Sequence, residues 1–71
     1  MPKLPNRSAK QVIKTLLANG YVFDHATGSH HAYINPQSGI RVVVPFHRRS
    51  LASGTLHAII KQSGLKREDF I

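Results

Sequence analysis

The stretch YVFDHATGSHHAYINPQSGIRVVVP, residues 21–45 of a 71-residue chain, decides the fold. At its start Tyr21, Phe23 and His25 alternate with Val22 and Asp24, the period-two pattern of a strand, until Ala26-Thr27-Gly28 breaks the run. Residues 29–35 and 40–45 read as two further strands. Asn35-Pro36-Gln37-Ser38-Gly39 between them carries the Pro and Gly of a hairpin loop. Pro45 has no N–H to give to a ladder, so the third strand is predicted to end there.

Helical signals flank this block. On the N-terminal side, Ser8-Ala9-Lys10-Gln11 has the spacing of a capping box. Val12, Ile13, Leu16 and Leu17 follow as one apolar face. Gly20 is placed to end that helix in a left-handed conformation, with Tyr21 touching Leu16. Residues 1–7 read as a flexible arm. On the C-terminal side, a polar connection over 46–53 carries His47, Arg48 and Arg49. A second helix follows, with Leu56, Ile59 and Ile60 as its stripe, Gly64 as its stop and Leu65 closing on Ile60. Residues 66–71 allow one last turn with Phe70 folding back onto the body.

The order helix, three strands, helix predicts a single α+β domain over residues 1–71. An antiparallel meander would have both helices on one face, because two amphipathic helices and a one-sided sheet must cover each other. If Ala32, Ile34, Ile40, Val42 and Val44 point at the helices, then Tyr33, Arg41 and Val43 lie on the wet face. Polar and aromatic side chains on such a face suit a nucleic-acid surface, and any solvated sheet face carries them too. A chain of this length buries only about three fifths of its unfolded surface, which predicts modest stability.

Composition narrows the function. Ten Lys and Arg against three acids leave a formal charge of +7, to which five histidines can add as pH falls. Such a field attracts polyanions, nucleic acid above all, or else an acidic protein. With no cysteine there is no disulfide, zinc-thiolate site or thiol nucleophile. No signal-peptide core or run of about 20 apolar residues is present, so a soluble, cytoplasmic protein is expected.

Three segments, taken together, resemble the HicA toxin family: Gly28-Ser29-His30-His31-Ala32-Tyr33, Val42-Val43-Val44-Pro45-Phe46-His47, and Gly54-Thr55-Leu56 leading to Ile59 and Gly64-Leu65. The likeness runs from about Ser8 to the C-terminus. It implies a fold like that of a double-stranded-RNA-binding domain, in the element order already read from periodicity. It also implies a toxin of a type II toxin–antitoxin system: an endoribonuclease that cleaves messenger RNA without metal or cofactor and serves in stress response. A HicB-type antitoxin would neutralise it, and the two would be able to form a higher-order oligomer. The family's catalytic histidine, in its Gly-Ser-His motif, corresponds to His30, with His31 as the close alternative.

RNA carries its own nucleophile, the 2′-hydroxyl, so metal-free cleavage requires only proton transfer and charge stabilisation at phosphorus. Imidazole titrates near neutrality and suits the proton transfer. Gly28 would let the backbone approach a phosphate, and Ser29 would orient the imidazole or donate to a phosphate oxygen. His47 is either a second proton-transfer group or a loop residue capping the strand end. Arg48 and Arg49 precede a helix start that favours anions, and with Arg41 and Tyr33 they make up the expected RNA-binding set. A metal at His30, His31 and His47 is disfavoured, since adjacent strand residues point to opposite faces. His25 and His57 are read as structural. Two other functions compete: a non-catalytic double-stranded-RNA-binding module, and a basic protein that only docks on an acidic partner.

Overall fold

The computed structural model describes residues 8–46 and 51–70. It contains helix α1 (Ala9–Ala18), strands β1 (Val22–Thr27), β2 (His30–Ile34) and β3 (Arg41–Pro45), helix α2 (Ser53–Ser63) and a closing 3₁₀ turn (Arg67–Phe70). The strands form an antiparallel sheet in the order β1-β2-β3. Both helices make their main sheet contacts on β3, so the fold is α+β and resembles a double-stranded-RNA-binding domain.

The expected caps are present. Ser8 Oγ accepts from the Gln11 N–H while the Gln11 side chain accepts from the Ser8 N–H, so both donors are satisfied at the start of α1. Gly20, at φ +91°, turns the chain out of the helix, and the Tyr21 N–H donates to the Leu16 carbonyl. Gly64, at φ +70°, ends α2. Between β2 and β3 the Asn35 N–H donates to Ile40 O and the Gly39 N–H to Asn35 O, closing the loop expected there.

The core lies between β3 and the helices. Val42 and Val44 project from β3 onto Val12 and Leu16 of α1, Leu56 and Ile59 of α2, and Tyr21, Tyr33, Leu51 and Phe70. Ile13, Ile40, Ile60 and Leu65 pack at its margin. Phe70 does fold back onto the body and is buried. The Tyr21 hydroxyl donates to the Ser63 carbonyl at 2.7 Å, joining the two helix C-termini across 42 residues of sequence.

The structure corrects three expectations. Leu17 does not join the core face of α1: it is half exposed, because the face that meets the sheet centres on Ala9, Val12 and Leu16. The first strand does not break at Ala26 but continues through Thr27, with an irregularity at Asp24 between Phe23 and His25. The facing of β2 is also reversed. Tyr33 pairs with Val42 and His31 with Val44, and directly paired residues share a face, so Tyr33 and His31 point to the helix side. Ala32 and Ile34, paired with Val43 and Arg41, point to the open side, where Ala32 is covered between its cross-strand neighbours His25 and Val43. Tyr33 is accordingly a core residue rather than part of a wet face, while Arg41 and Val43 are exposed on the open face as expected.

Candidate active site and nucleic-acid interface

The site is organised by the turn between β1 and β2. Thr27 and His30 are the last paired residues of this hairpin, leaving Gly28-Ser29 as a two-residue loop. Gly28 has φ +57°, and no non-glycine residue among those described has a positive φ, the pattern of a turn with glycine at its first central position. Glycine is required there for its backbone conformation, since open space surrounds the position of a would-be side chain. The same turn is tied to β3: the Phe46 N–H donates to the Ser29 carbonyl. The Gly-Ser-His-His and Val-Pro-Phe segments therefore meet at one end of the sheet.

The two adjacent histidines leave this end in opposite directions. His30 lies between Thr27 and Pro45 in register and projects, exposed, from the open face. His31 projects from the helix-side face and is half-buried. Its ring stacks on Phe46, with centroids 4.7 Å apart and planes at 15°, and meets Phe23 edge-on at 6.3 Å. Phe23 also stands edge-on to the buried Tyr33 ring at 5.7 Å.

The open face holds a polar cluster that the sequence reading did not assign. The irregularity at Asp24 brings Asp24 and His25 toward the same side. Asp24 Oδ2 accepts from His25 Nδ1 at 2.8 Å and forms an ion pair with Arg41 Nε at 3.3 Å. The carboxylate can only accept, so this contact requires the proton on His25 Nδ1, and the carboxylate holds the guanidinium on the face that carries His30. Both partners of Asp24 are more than half exposed, so the ion pair with Arg41 is worth little in stability. The bulge was the missing signal, because strict alternation assigns Asp24 and His25 to opposite faces. Gly28, Ser29 and His30 thus lie on or beside the open face at this end, Arg41, paired with Ile34, lies on the same face toward the other end, and Tyr33 is not on that face. His47, Arg48 and Arg49 lie outside the described residues. Among the described residues, no three His, Cys, Asp or Glu side chains come together to hold a metal ion.

The structure is thus a small basic α+β domain with two adjacent histidines at the mouth of its first hairpin and one open sheet face. The profile of the family described as HicA toxin of bacterial toxin-antitoxin matches residues 9–65, more than half of the chain, and the chain belongs to that family. The matched span includes every described element from α1 to α2. No curated protein matches the chain.

Proposed function

We propose that this protein is a metal-independent endoribonuclease that cleaves messenger RNA in the cytoplasm, with His30 as its proton-transfer group, and that a HicB-type antitoxin silences it. The carrying observation is membership of the toxin family, together with an exposed histidine, His30, held just after a two-residue glycine turn. His30 accepts the 2′-hydroxyl proton, and the 2′-oxygen then bonds to the adjacent phosphorus. The bond from phosphorus to the 5′-oxygen breaks, and that oxygen leaves with a proton. Atoms balance with a cyclic phosphate and a free 5′-hydroxyl as products, and neither metal nor cofactor is consumed. Arg41, on the same face as His30 but at the other end of the sheet, contributes with Arg48 and Arg49 to the field that holds the RNA backbone. His47 is the proposed second proton-transfer group.

His31 remains the alternative base. Its ring is better oriented by neighbours than that of His30, through the stack on Phe46, but it is less exposed. The resemblance of the fold to a double-stranded-RNA-binding domain supports a second reading, a module that binds RNA without cutting it. Inducible expression in bacterial cells separates the two. The ribonuclease reading expects growth arrest from the wild type and none from His30→Ala at equal protein levels. Arrest by both proteins would remove His30 from its role, and arrest by neither would favour the non-cutting module.

A further inference from the structure

Five large apolar side chains of the described residues are exposed, and two of them, Phe23 (55%) and Phe46 (42%), converge on His31. The sheet explains why. The helices make their main contacts on β3, so the helix-side surface of β1 and the turn end of β2 project beyond them. The three rings there are ordered with respect to one another. His31 and Phe46 form a near-parallel pile, Phe23 stands as a wall at 72° to His31, and Tyr33 props Phe23 from the core side. Exposed apolar surface of this kind marks a place where something docks.

We propose that this aromatic shelf binds one unpaired base of a single-stranded nucleic acid, which stacks on Phe46 and extends the His31–Phe46 pile. The proposal deepens the ribonuclease reading and rests on it for the identity of the strand as RNA. Charge supports this occupant, since a chain at +7 collects a polyanion. Flat π surfaces beside such a field are what unpaired bases use, whatever their sequence. Position supports it too. Phe46 is hydrogen-bonded through its backbone to Ser29, and His31 follows His30 directly, so a base on the shelf brings its sugar-phosphate to the Gly28-Ser29 turn. The strand would cross that turn with its base on one face of the sheet and its phosphate toward His30 on the other. Double-stranded RNA, whose bases are already stacked and paired, would not engage the shelf.

The test uses a DNA probe, which lacks the 2′-hydroxyl and so cannot be cut by the proposed chemistry. A single-stranded 12-mer of deoxythymidine and an abasic strand with the same number of phosphates are titrated into the full chain. Binding is followed by anisotropy, and the Phe23, His31 and Phe46 rings by aromatic carbon–proton NMR. The expected result is movement of the ring signals with the base-bearing strand alone. The same strand should bind about ten-fold more weakly to Phe46→Leu, which keeps the apolar bulk, and regain affinity in Phe46→Tyr. Equal affinity for both strands, or rings that stay still while DNA binds, would overturn the proposal and leave the shelf to a protein partner. RNA cleavage is measured separately on the same preparations. Cutting with still rings sinks the shelf alone, and moving rings without cutting sink the ribonuclease reading alone.

Discussion

Replacing Tyr21 by Phe removes one hydroxyl and almost no apolar area, which makes it a clean probe of what joins the ends of the two helices. The hydroxyl donates to the Ser63 carbonyl at 2.7 Å, and both residues are buried. That carbonyl belongs to the last turn of α2, where the helix itself offers no partner, so the variant leaves an acceptor without its bond. The cost of such a loss is about 1–3 kcal/mol. In a domain this small each kcal/mol moves Tm by about 4–8 °C, so a fall of roughly 4–24 °C is expected at neutral pH. Thermal and urea melts followed by circular dichroism measure it. A Tm within about 2 °C of wild type, well inside that scale, would show that the bond does not couple the helices. Alkali supplies a second readout. Burial raises the pKa of the Tyr21 hydroxyl above the ordinary tyrosine value of 10.0, so its contribution is fully present below pH 10 and is lost as pH rises through the folded value. Wild type should therefore lose stability above pH 10, and Tyr21→Phe should lose less, narrowing the gap between them. Tyr33, raised by burial in the same way, keeps some alkaline loss in both proteins.

Ser8→Ala removes the acceptor for the Gln11 N–H and half of the capping box, and should cost about 1 kcal/mol in a urea melt. An unchanged midpoint would mean that α1 starts elsewhere in solution. Gly28→Ala forces a side chain into φ +57° with open space around it, so the cost is conformational, about 1 kcal/mol, and Gly28→Asn should recover part of it. Equal stability of all three proteins would contradict the turn. Arg41→Ala should weaken binding of single-stranded nucleic acid and lower its salt dependence, seen by anisotropy between 50 and 200 mM salt, concentrations over which phosphate contacts typically respond strongly (about 10³-fold or more for many-contact binders).

The helix ends were legible because their signals are local: Ser8 and Gln11 three apart, and glycines at 20 and 64 where a positive φ is required. The meander followed from Asn35-Pro36-Gln37-Ser38-Gly39 and from Gly28. The facing of β2 was not legible. Val42-Val43-Val44 is apolar on both sides, so β3 carries no alternation from which to read its own orientation, and His30-His31 carries none for β2. The irregularity at Asp24 then shifts the phase of β1 within the strand. Only long-range pairing, Tyr33 with Val42 and His31 with Val44, fixes which histidine faces the helices. The aromatic shelf was hidden for the same reason, since Phe23, His31 and Phe46 come together only once that facing is known. The motif that carries His30 was visible in sequence, while the neighbours that distinguish it from His31 needed the fold.

The most direct test of the ribonuclease reading is the cleavage of a single-stranded RNA in chelator by purified wild type, His30→Ala and His31→Ala, with binding followed in parallel. The account predicts cutting by wild type and a loss of about 10²- to 10⁴-fold in His30→Ala with binding retained. Wild-type cleavage matched by His30→Ala would contradict the assignment of His30, and binding without cutting by any of the three proteins would contradict the enzyme.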